Sequence, residues 1–330
     1  MKLGVLQFFS WPERRVDLAT VYARALERIE IMDRTGYDAV WLAEHHFSGF
    51  SVCPSVHMVG TLAAARTKRL RIGTAVSLAP FYHPLRLAEE VALLDVLSGG
   101  RVNWGAGRGF ARVEFTAFGV PPEESASRFR ETVEIVLRAW TDEKLRFTGQ
   151  HFHFENVEVL PKPAQLPHPP VWTAASSEGA IDWAAGRGFS ILMDPHSSGP
   201  EIGVKRRRYA EKLSAAGFSE AGRDIPIARL VAIAPNAGKA AEVARNGAEW
   251  ILNSYLGSQH QPVMQGSFTP AGVDPLQRYL DEVILYGTPE KVGDDILRLR
   301  EEIGLDYLLC APLSHQTFML LTEKVLPRLP

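Results

Sequence analysis

The stretch Tyr37-Asp38-Ala39-Val40-Trp41-Leu42-Ala43-Glu44-His45-His46-Phe47 passes from an apolar segment straight into three ionisable side chains. Asp38 to Ala43 is short, mostly apolar and carries the β-favouring Val40 and Trp41, which suits a strand covered on both faces. Glu44, His45 and His46 follow at its carboxyl end. Polar groups gathered where a parallel strand stops are what a barrel enzyme needs, because the strand fixes them while the loop beyond receives a ligand. Three readings compete for the histidines. A metal site would want further ligands at metal spacing, and no HExxH or paired CxxC is present. A structural reading makes Glu44 a hydrogen-bond partner of a neighbouring loop and the histidines part of a satisfied turn. The third makes them catalytic, and the rest of the chain bears on that choice.

Working outward, the same strand-then-helix unit recurs. Strands are expected at Lys2–Phe8, Asp38–Ala43, Leu70–Val76, Arg101–Trp104, Val171–Ala175, Phe189–Met193, Ile227–Ala234 and Leu305–Cys310. Nearly all are followed by a segment of helical period, such as Asp17–Thr35 with Leu18, Val21, Ala25, Ile29 and Met32 on one face. Pro84 enters a helix at its first turn, and Thr288-Pro289 reads as a plain N-cap followed by proline, without a capping box. Eight units in succession predict one (β/α)8 TIM barrel spanning residues 1–330, with Leu305–Cys310 paired to Lys2–Phe8. Two insertions interrupt the alternation: a hairpin near 144–160 and a lid-like stretch near 253–286. Between them Pro161–Pro170 holds five of the chain's 22 prolines and must be a rigid connector.

Bulk chemistry narrows the class. Of 330 residues 46% are hydrophobic and 22% charged, enough to bury a large core. With 36 basic against 38 acidic residues there is no field to attract nucleic acid or an anionic membrane. The one basic run, Lys205-Arg206-Arg207-Arg208, reads as a solvated helix face. Cys53 and Cys310 form no disulfide framework, no apolar run reaches membrane length, and Met1-Lys2 leads directly into a strand. The expectation is a soluble cytoplasmic protein.

Two loops are candidates for holding an anion. Gly105-Ala106-Gly107-Arg108-Gly109 fails the dinucleotide fingerprint, which needs glycine where Phe110 stands. A glycine-rich turn still lets backbone approach an anion, with Arg108 supplying a fork of donors. Ser176-Ser177-Glu178-Gly179 opens a helix, where serine and free N–H groups suit a phosphate. Each alone could be an ordinary turn or cap; together on one barrel face they would bring a phosphate-bearing cofactor over His45.

The motifs Trp41–Phe47, Ile72–Val76, His83–Glu90, Leu94–Arg101, Gly105–Gly109 and Trp183–Ala185, in that order, resemble the bacterial luciferase-like flavin-dependent monooxygenases. The resemblance is strongest over residues 1–195. It implies an oxidoreductase that uses reduced FMN and O2 to oxygenate a small, largely apolar substrate, is supplied by a separate flavin reductase and dimerises with itself. It makes His45 the catalytic histidine, oriented by Glu44. It places Arg108, Arg128, Ser176 and Ser177 at the cofactor phosphate, and Ala75 and Val76 under the flavin ring, often through a non-proline cis peptide. No metal is implied. Two positions depart from luciferase: Gly107 stands for its reactive cysteine and Ala180 for a phosphate-contacting threonine, so light emission is not expected. Two alternatives stay open, an F420-dependent oxidoreductase on the same barrel and a non-catalytic flavin-binding partner subunit.

Overall fold

The computed structural model describes residues 1–255 and 272–329. Its strands are β1 (Lys2–Gln7), β2 (Ala39–Leu42), β3 (Arg71–Thr74), β4 (Ser77–Leu78), β5 (Val102–Gly107), β6 (Leu145–Thr148), β7 (His153–Val157), β8 (Val171–Ala174), β9 (Ser190–Leu192), β10 (Ile227–Ile233), β11 (Leu285–Gly287) and β12 (Tyr307–Pro312). Parallel pairing runs β10-β12-β1-β2-β3-β5-β8-β9. A parallel bridge between Met193 and Ile227 then joins the last strand to the first. There the Met193 N–H donates to the Pro226 carbonyl and the Ala228 N–H to the Met193 carbonyl, each at 3.2 Å. The eight strands so joined close a (β/α)8 barrel. Lys2 pairs with Tyr307 and Val5 with Cys310, the closure expected from the sequence.

Alternation along each strand sorts side chains between two cores. Trp41 points into the barrel with Trp172, Leu192, Leu230 and Leu309, whereas Val40 and Leu42 face the helices with Ile29 and Val56. Trp41 meets Trp172 edge-on at 5.2 Å and donates its indole N–H to the Tyr307 hydroxyl at 3.0 Å. It also lies flat over Gly73, where a Cβ would come within 2.3 Å of the indole.

The glycine-rich stretch differs from its expected form. Gly105-Ala106-Gly107 is strand, the second half of β5, and not a turn. The reason is steric: a Cβ on Gly105 would lie 2.0 Å from the Thr74 carbonyl oxygen, and one on Gly107 would lie 2.2 Å from Val76 Cγ2. These glycines let neighbouring strands approach. A helix not anticipated, Arg112–Phe118, follows the turn.

The basic run is also more than a solvated face. Lys205 binds Asp194 at 3.0 Å, and Arg208 clasps both oxygens of Asp182 at 2.7 and 2.8 Å. Four consecutive helical residues point all round the axis, so some must face the protein. Elsewhere β6 and β7 form an antiparallel hairpin. Thr288 caps the helix Pro289–Ile303 by accepting from the Lys291 N–H. Of the stretch 253–286, residues 256–271 lie outside the described residues; the rest holds a turn of helix, Pro275–Arg278, a wider turn, Tyr279–Val283, and β11. No helix among the described residues is long and apolar enough to cross a membrane.

Candidate active site

A cavity of about 350 Å³ is lined by residues at the carboxyl ends of the barrel strands, within the usual size range of a ligand pocket. Leu6 comes from β1 and Phe8 from just beyond it, Glu44 and His45 follow β2, Ala75 and Val76 form the β3–β4 connection and Leu78 belongs to β4. The Ala75–Val76 peptide bond is cis. Arg108 and Phe110 follow β5, Ser176 and Ser177 follow β8, and Asp194 and His196 follow β9. Residues far apart in sequence thus share one cavity because each closes a strand of the same barrel.

The acid beside His45 is not the expected one. Glu44 receives the His46 ring at 3.0 Å, the Tyr82 hydroxyl at 3.0 Å and the Leu78 N–H at 3.4 Å. The carboxylate facing His45 is Glu114, whose Oε1 lies 3.6 Å from His45 Nδ1 and also accepts the His46 N–H at 3.1 Å. The two-residue period of an extended chain explains this: Glu44 and His46 fall on one side, His45 on the other. Burial, and then the charge of Glu44, pushes the Tyr82 phenol well above its ordinary range and keeps it a donor. The His45 ring stacks on Phe8 at 6.4 Å and meets the edges of Phe50 at 5.2 Å and Phe110 at 6.1 Å.

Arg108 and Arg130 both line the cavity. Burial, and then the charge of Arg130, lowers the Arg108 guanidinium from its ordinary value. Among the described residues neither guanidinium makes an ion pair or a hydrogen bond. Two neighbouring cations facing one cavity make a place for an anion. Ser177 caps the helix Glu178–Gly186, accepting from the Ala180 N–H, and Gly179 in its first turn lines the same cavity. First-turn N–H groups lack helical acceptors and favour negative charge. Arg128 does not join this group: its Nε donates to Glu124 at 2.8 Å. Two residues along a helix turn a side chain through about 200°, which puts Arg130 on the cavity side instead.

Sequence reading missed Asp194 and His196. Burial, the largest single influence, raises the Asp194 carboxyl, but the charges of Lys205 and His196 and the hydrogen bonds from both together outweigh it and the net shift is downward. Burial lowers the His196 imidazole to about 4. Its Nδ1 and the Tyr279 hydroxyl lie 2.8 Å apart, the His196 backbone N–H donates to Asp194, and the His196 carbonyl accepts from Arg278 at 3.0 Å. The rule that singled out Glu44 to His46, polar residues where a strand ends, applies equally to Asp194-Pro195-His196. Glu114 carried no such signal, because its short helix is not evident from periodicity.

The lining suits a phosphate-bearing, ring-shaped cofactor. Besides the two arginines, Thr173 Oγ1 is buried on the cavity wall without a hydrogen-bond partner among the described residues, and Gly107 leaves β5 without a Cβ against Val76. No group of three metal-ligating side chains occurs among the described residues.

Residues 1–307 match the family described as luciferase-like monooxygenase. An uncharacterized protein of Sinorhizobium fredii is 34% identical over 298 residues, 89% of this chain and 85% of that one. The oxygenase component of a flavin-dependent trigonelline monooxygenase from Acinetobacter baylyi is 31% identical over 183 residues, 55% of this chain and 51% of that one. Among solved structures, the monooxygenase RslO1 of Streptomyces bottropensis superposes with a TM-score of 0.87 at 28% identity, covering 99% of both chains.

Proposed function

From the premise that this chain belongs to the luciferase-like monooxygenase family, we propose that it is the oxygenase component of a two-component flavin-dependent monooxygenase. It takes reduced FMN from a separate reductase and uses O2 to oxygenate a small, largely apolar substrate. Bound reduced FMN would supply the electrons and the activation of oxygen, one atom of which enters the substrate while the other leaves as water. The observation that carries this reading is the pair of arginines, Arg108 and Arg130, without partners among the described residues, on a cavity shared with the first turn of the helix Glu178–Gly186.

In this reading Arg108, Arg130, Ser176 and Ser177 hold the phosphate, and the backbone at Ala75 and Val76 supports the ring. Phe8 and Phe110 limit water at the reacting end, where His45, with Glu114 behind it, gives or takes a proton. Glu44 acts at one remove, fixing His46 and the Leu78 backbone. A homodimer belongs to the proposal. The neighbouring helices Val56–Arg66 and Pro84–Ser98 expose Met58, Leu62, Leu93 and Leu97, an apolar face suited to a second copy. Two free, buried cysteines suit a reducing cytoplasm.

An anaerobic titration with reduced FMN and reduced F420 in parallel tests the cofactor. Reduced FMN should bind the more tightly, and Arg108→Ala should weaken it by about 1.5–3 kcal/mol, the scale of a charge-assisted hydrogen bond. Preference for F420 would move the protein to the hydride-transfer branch, and an unchanged affinity would remove Arg108 from the site.

A further inference from the structure

Under the cavity a second histidine is wired between a serine and a carboxylate. The His57 Nδ1 lies 3.1 Å from Glu90 Oε2 and its Nε2 lies 3.0 Å from Ser77 Oγ. A carboxylate only accepts, so Nδ1 carries the proton; in the neutral ring Nε2 then accepts from the Ser77 hydroxyl. The hydrogen bond from His57 is also the largest influence holding Glu90 below its ordinary value. This is the connectivity of a Ser-His-acid relay, yet Ser77 is fully buried and is absent from the cavity lining. No reacting atom could reach its oxygen, so a nucleophile is ruled out.

What the relay touches gives its use. Ser77 sits between Val76 and Leu78, both of which line the cavity, in the two-residue strand β4 against Ala106 and Gly107. Leu78 is held from the other side by its N–H to Glu44. Tyr82, whose ring meets that of His57 edge-on at 5.6 Å, donates to the same carboxylate. The floor of the cavity is therefore clamped by two acids, Glu44 directly and Glu90 through His57. Glu90 in turn is tied to the exposed Arg86 on the helix Pro84–Ser98 at 2.8 Å.

We propose that His57 is a positioning residue that sets the cavity-floor backbone at residues 75–78 by bridging Ser77 to Glu90. The proposal rests on the flavin reading only for its effect on cofactor affinity. Hydrogen exchange of the cofactor-free chain, read by mass spectrometry, tests the clamp itself. His57→Phe and Ser77→Ala should each speed exchange of the segment 75–79 by about tenfold or more, while the helix Pro84–Ser98 keeps its protection. His57→Gln, whose amide both donates and accepts, should restore most of that protection. Reduced FMN should bind the first two variants about tenfold more weakly. Unchanged exchange at 75–79, or a rise shared equally by the whole barrel, would overturn the clamp. Should the wild-type chain fail to bind FMN, the flavin reading falls while the exchange result still decides the role of His57.

Discussion

At the scale of single residues, His45 and His196 share a cavity but differ in surroundings. His45 lies beside Glu114 among aromatic rings, and His196 is buried against Tyr279 and Arg278. If His45 handles a proton during turnover, His45→Ala should leave FMN affinity nearly intact and slow turnover by roughly a hundredfold or more. Equal losses of flavin affinity and thermal stability, with normal turnover per loaded molecule, would make it structural. His196 affects stability instead. Its folded value of about 4 lies below its ordinary 6.5, so between these the unfolded chain binds more protons. Stability from a neutral His196 is therefore complete above about pH 6.5 and is lost as pH falls toward 4. The loss is on the order of 3 kcal/mol, at ~1.4 kcal/mol per pH unit. Urea midpoints at pH 7 and pH 5 should diverge more in the wild type than in His196→Gln. The histidine at the end of β2 was evident from the sequence because strand ends collect function. Its acid was not, because adjacency along the chain suggested Glu44 whereas the extended backbone turns Glu44 to the opposite side.

At the scale of elements, buried parallel strands read clearly: short, apolar and β-branched, they were located to within a few residues, as Ile227–Ile233 shows. Elements held by contacts distant in sequence did not read as well. The helix Arg112–Phe118 has seven residues and no side-chain cap, yet its Glu114 reaches back to the loop at His46. β5 extends through two glycines because neighbouring backbone leaves no room for a Cβ, a constraint invisible along one strand alone. The hairpin β6–β7 is fastened similarly. Glu131 accepts the N–H groups of Gln150, His151 and Phe152 at 3.0, 3.0 and 2.7 Å. Removing that carboxylate orphans three donors, so Glu131→Ala should loosen the hairpin tip by about 1.5–3 kcal/mol. Limited proteolysis at residues 148–153 would register it; a tip as resistant as in the wild type would show that solvent satisfies those groups equally well.

At the scale of the whole molecule, barrel closure was legible from eight successive units, but the assembly state depends on a surface. Met58 and Leu62 on one helix, Leu93 and Leu97 on the next, leave apolar side chains exposed to solvent. Leu93→Glu with Leu97→Glu should shift sedimentation from dimer to monomer while the circular dichroism stays that of the wild type; a wild-type chain that sediments as a monomer refutes the dimer. The ring itself is fastened unevenly. β1 and β12 share four registered pairs, and β10 and β12 five, whereas β9 meets β10 through the single Met193–Ile227 bridge. The barrel is a hoop with one narrow buckle, and a hoop under tension gives first at its buckle. That buckle adjoins Asp194 and His196 on the cavity wall, so a ligand slightly too wide for the cavity would be accommodated by slippage beside those two residues, leaving the more fully paired strands β12, β1 and β2, with Glu44 and His45 at the end of β2, in register.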